Sequence, residues 1–484
     1  MDDNKVENLM AKIVALCKRR GFVFPGSDIY GGITGMWDYG PAGSVMRKNI
    51  KDLWWKENVQ LRDDMVGVDA AIIMNPRAWD ASGHTEAFSD PLIECKHCHK
   101  RFREDKFVDI PSKNDDEYVS LWIEKWSDIY RDIKGLDDQN DLKKAGVAYE
   151  KSKSAGTVMC PNCLELKGFT EPQNFNLLVK AYMGVIEGKQ SEVFLRGEIT
   201  NGVTVNFKNV MDSTRVKMPF GIAQMGKAFR NEITPGGFIF RDREFEQMET
   251  QFFIKPVEEE GMKWFEYWKQ NRMDWYTSLG IKREHLQFKD HDKLAHYAKA
   301  ATDIEYLYPW GFDEIAGIHH RSDWDLSRHQ EYSGQNLKVR DIETNEEYTP
   351  WDIETSGGVD RLMLVLLLDA YNEDEKRVWL ALHPKIAPYK AAIFPLLGNK
   401  PELIEKAREI YKKLQQHYMV AWDDRGNIGK RYAAQDEIGT PFCITVDFDT
   451  LEDEAVTVRD RDTATQERIK IADLENYINL KIVN

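Results

Sequence analysis

The chain combines long segments of helical periodicity with shorter apolar runs of the kind that form strands. Apolar side chains recur at helical spacing in residues 4–20, in a stretch that begins at Ser44 and in residues 257–279, which predicts helices there. The apolar run 68–74 predicts a buried strand that ends at Pro76, because proline cannot donate to a strand ladder. Residues 192–253 are rich in predicted strands.

The C-terminal part alternates strands with helices. We predict strands at residues 391–397, 419–422, 442–446 and 456–459, and helices at residues 401–417 and 467–482. This alternation is typical of a compact α/β domain.

Residues 113–154 differ in character from the segments around them. They are rich in charge and place Trp122, Trp126 and Ile129 at helical spacing. They also separate two pairs of cysteines, so we interpret them as an inserted helical arm.

Composition narrows the class of protein. The 484 residues are 42% hydrophobic and 30% charged, which is typical of a folded chain with about three domains of roughly 150 residues. No apolar run approaches the roughly 20 residues that span a bilayer, and residues 1–20 lack a secretory-signal pattern. We therefore expect a cytoplasmic protein with no membrane partner.

The formal net charge of −15 argues against a protein that coats nucleic acid through bulk attraction, and we expect no DNA partner. Charge alone leaves open RNA binding through a local basic surface.

Four of the six cysteines form two Cys-x-x-Cys pairs, Cys95 with Cys98 and Cys160 with Cys163. In a reducing compartment such pairs favour metal binding over disulfides, and four thiolates suit a closed, structural zinc site. His97 and His99 are alternative ligands, and free thiols are the alternative to a metal.

The first segment with candidate chemistry comprises residues 229–232 and 240–249. Two strands joined by a glycine-rich loop would project Arg230 and several carboxylates from one face, because side chains alternate along a strand. The planar fork of arginine suits phosphate, and Phe245 can stack on a purine. Alternating charges on a hairpin are also compatible with a merely solvated face.

The second segment, residues 354–361, leads into a strongly apolar helix. Glycines before a helix allow backbone N–H groups to face an anion, with Arg361 in the first turn. A Gly-Gly pair alone also occurs in ordinary turns, so the two segments together are more specific than either one.

Residues 229–232 with their partner strand resemble the second signature motif of class II aminoacyl-tRNA synthetases, and residues 358–361 resemble the third. The helix from Ser44 and the strand predicted to end at Pro76 resemble the first motif, which builds the dimer interface in this class. The resemblance therefore implies a homodimer.

Four dispersed stretches resemble the homodimeric glycyl-tRNA synthetases: residues 21–32, 37–41, 245–249, and 293–297 followed by 303–306. The resemblance implies a ligase that activates glycine with ATP, forming glycyl-adenylate and pyrophosphate, and then transfers glycine to the 3′ end of tRNA(Gly). The implied ligands are ATP, Mg²⁺, glycine and tRNA(Gly).

The fold implied by the resemblance is α+β. An antiparallel-sheet catalytic domain would cover residues 1–380, with a zinc-knuckle and helical insertion at residues 93–165 and a helical insertion at residues 257–290. An α/β anticodon-binding domain, shared with prolyl, threonyl and histidyl enzymes, would follow at residues 381–484.

For ATP, the resemblance implies that Arg230 contacts the α-phosphate, Arg361 the γ-phosphate and Glu314 a Mg²⁺ ion between the phosphates. These three are the implied catalytic residues. Glu232 and Phe245 would hold the adenine. The full set implied for ATP is Arg230, Asn231, Glu232, Phe240, Arg241, Phe245, Glu314, Ile315, Gly358, Val359, Asp360 and Arg361.

For glycine, the resemblance implies a group of carboxylates around the ammonium. The implied set is Arg103, Glu198, Phe245, Glu246, Gln247, Met248, Glu249, Arg321, Glu354, Thr355, Ser356, Gly357 and Gly358. One extra methyl group in a permissive pocket changes binding by only about 1–3 kcal/mol, so selection of glycine requires filling the space that a methyl group would need.

One segment departs from the family pattern. The family usually has Arg-Pro-Glu-Thr-Ala-Gln-Gly where this chain has Arg-Gly-Glu-Ile-Thr-Asn-Gly at residues 196–202. Glu198 is retained within it, whereas Gly197 replaces proline and loosens the backbone.

In the C-terminal domain, the resemblance implies tRNA contacts by Lys430, Arg431, Arg459 and Arg461. Arginines alternating with aspartates could equally form a solvated strand edge. Two readings compete with a glycyl enzyme: a prolyl or threonyl synthetase of the same subclass, and an inactive synthetase-like accessory protein. An inactive relative should have lost Arg230, Glu314 or Arg361, and this chain keeps all three.

Overall fold

The computed structural model describes residues 3–86, 88–104, 107, 116–134, 140–185, 190–294, 298–341 and 343–483. The first part of the chain flanks the main sheet. Its elements are α1 (Asp3–Arg20), β1 (Val23–Pro25), β2 (Trp37–Tyr39), α2 (Pro41–Trp55), β3 (Met65–Gly67) and α3 (Pro76–Ala81). In α1, Ile13, Leu16 and Cys17 are buried, because their spacing puts them on one face of the helix.

The next part forms a small sheet that carries a pair of helices. Its elements are β4 (Ser89–Glu94), β5 (Arg101–Arg103), α4 (Asp116–Lys134), α5 (Asn140–Ala155), β6 (Gln173–Asn176), β7 (Val179–Met183) and β8 (Ser191–Leu195). The sheet order is β5-β4-β6. Trp122, Trp126 and Tyr149 pack between α4 and α5, which confirms the predicted helical periodicity over the described residues, whereas the insertion itself stays a prediction.

The central part builds the main sheet. Its helices are α6 (Thr200–Thr204), α7 (Phe207–Thr214), α8 (Glu258–Ser278), α9 (Trp324–Ser333) and α10 (Val359–Ala370). Its strands are β9 (Phe220–Phe229), β10 (Glu244–Ile254), β11 (Leu286–Asp290), β12 (Ala300–Tyr308), β13 (Gly311–Ser322), β14 (Val339–Arg340), β15 (Glu347–Tyr348), β16 (Trp351–Gly358), β17 (Tyr371–Glu373) and β18 (Val378–Leu380).

The main sheet has seven strands in the order β11-β12-β13-β16-β10-β9-β3, and only the edge pair of β3 with β9 is parallel. β10, which contains residues 244–249 of the first candidate segment, therefore lies between β9 and β16, and β16 contains the start of the second segment. β10 pairs with β9 from Glu244 opposite Phe229 and with β16 from Gln247 opposite Gly358.

Helix α10 covers one face of this sheet. Ten of its twelve residues are buried, because it lies between the sheet and the helices α1 and α2. Helix α8 buries Phe265, Trp268 and Tyr276 in the same core. The opposite face packs Phe220, Ile222 and Phe253 against α6, α7 and α9 and carries polar side chains beside them.

The C-terminal part has its own sheet. Its elements are β19 (Ala391–Pro395), α11 (Pro401–Leu414), β20 (Val420–Trp422), α12 (Ile428–Ile438), β21 (Phe442–Val446), α13 (Phe448–Asp453), β22 (Ala455–Asp460), β23 (Gln466–Lys470) and α14 (Leu474–Val483). The sheet order is β20-β19-β21-β22-β23, and β19 is parallel to both of its neighbours.

The α+β class predicted from the sequence is confirmed, with two local differences. The apolar run 68–74 is not a strand. Instead, Asn75 accepts a hydrogen bond from Arg77 N and caps α3, with Pro76 in the first turn. The helix predicted at 467–482 begins later, at Leu474, because residues 466–470 pair as an edge strand with β22.

Among the described residues, the structure contains no helix with the length and apolar character of a membrane span.

Candidate active site

The polar face of the main sheet collects carboxylates from β10 and β16. Glu249 lies opposite Ser356, and Gln251 lies opposite Glu354. Residues that face each other in an antiparallel pair project to the same side, so these four side chains meet. Glu249 is 2% exposed and Glu354 is 5% exposed.

Glu249 is fully engaged by neutral donors. Its Oε1 accepts from Ser356 Oγ at 3.0 Å and from Gln247 Nε2 at 2.8 Å. Thr200 Oγ1 lies 2.8 Å from Oε2 of Glu249 and 3.2 Å from Oε2 of Glu354. A hydroxyl has a single hydrogen to donate, so the Thr200 hydroxyl is shared between the carboxylates of Glu249 and Glu354.

Glu354 is bound by cations as well. Its oxygens lie 3.3 Å from Arg321 Nη1 and 3.1 Å from His319 Nδ1, and one of them accepts from Gln251 Nε2 at 3.0 Å. Arg321 is held in turn by Asp325, with distances of 2.7 and 3.1 Å. The charge of Glu354 is therefore compensated from the β13 side.

A third glutamate, Glu198, precedes α6. Its Oε2 lies 3.3 Å from Nε2 of His84, which follows α3. Its pKa responds electrostatically to both Arg321 and Glu354, so it belongs to the same cluster.

The three glutamates differ in proton affinity. Burial raises the pKa of Glu249, and the carboxylates of Glu354 and Glu198 raise it further, to about 8. Burial disfavours charge on Glu354 too, but Arg321 and His319 outweigh it and hold the pKa of Glu354 well below its usual range. Burial of Glu198 is outweighed by its histidine partner, which lowers its pKa. Near neutral pH the cluster therefore holds two carboxylates and one proton, on Glu249.

Arg230 lies beside this cluster, at the end of β9. Its Nε donates to the carbonyl of Gly197 at 3.0 Å, and its guanidinium lies 5.3 Å from the ring centroids of both Phe88 and Phe245. A Cβ atom at position 197 would lie 3.1 Å from the Phe88 ring, so the glycine that departs from the family pattern makes room for this ring.

Arg361, in the first turn of α10, forms a second cationic group. Its guanidinium lies 4.5 Å from the ring centroid of Phe240, and its Nη1 is 3.0 Å from Oε2 of Glu314. Arg361 lowers the pKa of Glu314 and outweighs the effect of burial. Nearby, Arg241 Nε donates to Oε2 of Glu232 at 2.9 Å.

A β-bulge brings Glu314 to this face. Ile304 on β12 lies opposite Ala316, but the next residue, Glu305, lies opposite Glu314, so Ile315 has no partner. The extra residue reverses the alternation of β13. Glu314 therefore projects to the same side as His319 and Arg321.

Several side chains in the predicted sets lie on the other side of the sheet or within the core, which corrects their expected roles as side-chain contacts. Glu246 binds Arg47 and Lys51, each at 2.9 Å, and Met248 is buried in the core. Thr355 Oγ1 lies 2.7 Å from Thr250 Oγ1 on that side. The reason is the alternation of β10 and β16, which turns every second residue away from the carboxylates.

The same correction applies to three residues predicted to bind ATP. Ile315 and Val359 are buried in the core. Asp360 is 3% exposed and accepts hydrogen bonds from Tyr39 and from the backbone of Glu246, so it joins β2 to β10.

Three further residues of the predicted sets, Asn231, Gly357 and Gly358, contribute to the local backbone structure rather than through a side chain. Asn231 donates its backbone N–H to the carbonyl of Leu177 at 2.8 Å. Gly357 faces α8, where an added Cβ would lie 2.7 Å from the Tyr276 hydroxyl, and Gly358 precedes α10. Arg103 lies on β5, in the small separate sheet, and its predicted contact with glycine stays a prediction.

Sequence analysis predicts no role for Thr200, His319, His84 or Gln251. No motif marks them, because each is placed by the strand register or by a loop that closes over the sheet. The departure of residue 200 from the family pattern was the only available signal for Thr200.

The four paired cysteines converge. Cys95 Sγ lies 3.8 Å from Cys163 Sγ, and Cys98 Sγ lies 3.8 Å from Cys160 Sγ. A tetrahedral zinc site with Zn–S bonds of about 2.3 Å has S–S edges of about 3.8 Å, so these thiols fit the metal. Burial would raise the pKa of Cys98, but hydrogen bonds from Asn162 and the backbone of Lys100 lower it to about 6. Of the alternative ligands, His99 Nδ1 is engaged by Glu94 at 2.9 Å.

In the C-terminal part, three of the four residues predicted to contact tRNA are buried. Arg431 donates to the carbonyls of Pro395, Arg425 and Gly426. Arg459 forms a two-fold pair with Asp436 at 2.7 and 2.9 Å, and Arg461 donates to the carbonyl of Gly439. Their guanidinium groups hold the domain together, which corrects the expectation of direct RNA contact. Lys430 lies on the surface.

Comparisons with known proteins agree with this geometry. A family model described as "tRNA synthetase class II core domain (G, H, P, S and T)" matches residues 183–370, and one described as "Anticodon binding domain" matches residues 390–481.

Curated relatives extend the likeness to the full chain. The glycine–tRNA ligase of Caldanaerobacter subterraneus subsp. tengcongensis is 50% identical over 483 residues, which are 99% of each chain. That of Alkaliphilus oremlandii is 48% identical over 485 residues, which cover 98% of this chain and 99% of the relative. The relative from Borreliella burgdorferi strain B31 is 48% identical with 98% coverage of both chains. The chain therefore belongs to the glycine–tRNA ligase family of class II aminoacyl-tRNA synthetases.

Proposed function

We propose that this chain activates glycine with ATP and transfers it to the 3′ end of tRNA(Gly). The observation that supports this best is the cluster of Glu198, Glu249 and Glu354 beside Arg230 on one face of the sheet. An amino acid carries an ammonium and a carboxylate, and this face offers anionic groups for the first and a cationic group for the second. Glycine–tRNA ligase is also the activity named for the relatives.

In this proposal the ammonium of glycine takes the place of the proton on Glu249. Glu354 remains ionised because Arg321 and His319 compensate its charge, so the pocket holds negative charge without a ligand. Gln247, Thr200 and Ser356 fill the volume around Glu249 with fixed donors. A methyl group on the α-carbon would displace one of them and leave a buried acceptor unpaired, which is the basis for rejecting alanine.

Activation is an in-line attack of the glycine carboxylate on the α-phosphorus of ATP, and it requires no protein nucleophile. Positioning and cations at the developing charge are sufficient. We assign Arg230 to the α-phosphate and the glycine carboxylate, Arg361 to the γ-phosphate, and Phe245 and Glu232 to the adenine. Mg²⁺, when bound, neutralises phosphate charge, and Glu314 is the carboxylate that would hold it.

Three further assignments belong to the proposal. We propose a division between catalytic and anticodon-binding domains near residue 380, a structural zinc ion on the four cysteines, and a homodimer through the first-motif region around α2. The cytoplasmic location stays a prediction.

The test is ATP–pyrophosphate exchange by the full chain with glycine, alanine, serine, proline and threonine in turn. We expect exchange with glycine alone. Exchange with proline or threonine would favour another synthetase of the subclass, and exchange with none of them would favour an inactive accessory protein.

A further inference from the structure

Beside the glycine pocket, three potential metal ligands converge on the polar face of the main sheet. His291 follows β11, Asp303 lies on β12 and His319 lies on β13. One ligand atom from each lies within 4.8 Å of the other two. No role in the proposed reaction has been given to His291 or Asp303.

The strand register explains why they meet. His291 N donates to the carbonyl of Ala301, which extends the β11–β12 ladder by one residue. Asp303 lies opposite Gly317, two residues before His319 on the same side of β13. A Cβ atom at position 317 would lie 2.6 Å from Cε1 of His319, so the glycine leaves the space that the imidazole occupies.

Direct contacts hold the two histidines and the aspartate beside one another. His291 Nε2 lies 2.8 Å from Oδ2 of Asp303, and the two imidazole centroids are 5.9 Å apart. His319 Nδ1 is engaged by Oε1 of Glu354 at 3.1 Å, which leaves Nε2 as the nitrogen for a metal. A carboxylate behind the imidazole fixes the tautomer and makes the other nitrogen a better ligand.

We propose that His291, Asp303 and His319 form a binding site for a divalent transition-metal ion of the Zn²⁺ or Co²⁺ class, separate from the cysteine cluster. Two imidazoles and one carboxylate are a donor set for such ions, whereas Mg²⁺ and Ca²⁺ take oxygen ligands. The side chains of His291, Asp303 and His319 are 34%, 20% and 24% exposed, so an ion can enter from solvent and keep an open coordination position.

The site is one hydrogen bond away from the glycine pocket through His319 and Glu354. The metal-site proposal does not depend on the proposed function, because metal binding is measured in the absence of glycine, ATP and tRNA.

The test is a Co²⁺ titration of the full chain after metal removal, monitored by absorption and by equilibrium dialysis. A thiolate site gives a sulfur-to-cobalt charge-transfer band, and a site of imidazoles and a carboxylate gives none. We expect one equivalent of Co²⁺ that binds without this band. His291→Ala and Asp303→Asn should each remove that equivalent, whereas Cys98→Ser should weaken the charge-transfer band and leave that equivalent in place.

The matched control is His417→Ala, which changes an exposed histidine that lies 3.6 Å from Glu475 in the C-terminal part. It should titrate as the unmodified chain does, and unchanged thermal melting of each variant shows that it has folded. The proposal is overturned if His291→Ala and Asp303→Asn bind as much Co²⁺ as the unmodified chain, or if His417→Ala loses the same equivalent.

Discussion

Thr200 donates a hydrogen bond to Glu249, with 2.8 Å between Oγ1 and Oε2. The same hydroxyl lies 3.2 Å from Oε2 of Glu354, so a single side chain from α6 joins the carboxylates of two neighbouring strands. The family usually has alanine at this position. In this chain the hydroxyl therefore adds a donor to the pocket that alanine cannot supply.

Thr200→Ala should change the pH dependence of KM for glycine more than it changes the maximal rate. The hydroxyl lowers the pKa of Glu249, and Glu249 must lose its proton to accept an ammonium, so KM for glycine should fall as pH rises through about 8. A hydrogen bond to a charged group contributes about 1.5–3 kcal/mol, so its loss should move this fall upward by about one to two pH units. The measurement is KM for glycine between about pH 6 and pH 9.

Thr200→Ser is the matched control because it keeps the hydroxyl, and its pH profile should coincide with that of the unmodified chain. An unmoved profile in Thr200→Ala would show that the hydroxyl does not tune Glu249.

Glu249→Gln and Glu246→Gln compare two faces of one strand. Glu249→Gln removes a charge that we assign to the ammonium of glycine, and KM for glycine should rise at least about tenfold. Glu246 binds Arg47 and Lys51 on the opposite face, so Glu246→Gln should leave KM for glycine within about twofold. Steady-state exchange kinetics give both values, and similar increases in the two variants would contradict the assignment.

Arg361→Lys tests the phosphate side. Lysine retains the charge but loses the planar group that lies over Phe240 and binds Glu314. We expect glycine-dependent exchange to slow by about 100-fold, since the loss of one donor to developing charge has effects of that size. Arg340→Lys, in a surface pair with Glu347, is the control and should retain the full rate. A full rate in Arg361→Lys would remove Arg361 from the reaction.

Metal removal tests the cysteine cluster. Ile129 of α4 packs with Cys95 and Cys160, and Trp126 Nε1 donates to the carbonyl of Met159, so a metal on the thiols would hold the helical arm in place. A chelator should therefore increase hydrogen exchange in α4 and α5 and leave β19 and β21 protected as before. Mass spectrometry of peptides from both parts gives the comparison, and equal protection with and without chelator would argue for free thiols.

The alternation of side chains along β10 and β16 determines which residues of the candidate active site can be predicted from the sequence. The motif segments identify β10 and β16, but a contiguous stretch such as residues 245–249 contains side chains from both faces. Counting alternate residues from Glu249 would have excluded Glu246 and Met248 without a structure. The bulge at Ile315 could not be foreseen, because nothing in the local sequence shows that the pairing of β12 with β13 shifts there.

Long-range partners explain the errors in the C-terminal part. In the sequence, Arg459 stands beside aspartates and is expected to be an exposed cation. In the structure its partner is Asp436, which lies on α12, 23 residues earlier. Arg431 donates to the carbonyl of Pro395, 36 residues away. The alternating strands and helices were predictable from periodicity, whereas these pairs depend on how α12 packs on the sheet.

Calorimetry of glycine binding shows whether the ammonium of glycine replaces a proton on Glu249. With a pKa of about 8, Glu249 is mostly protonated at pH 7, so glycine should release close to one proton per chain. Titrations in two buffers with different ionisation enthalpies yield that number, and Glu249→Gln should release none. Glycine binding without proton release in the unmodified chain would show that the ammonium does not replace a proton on Glu249.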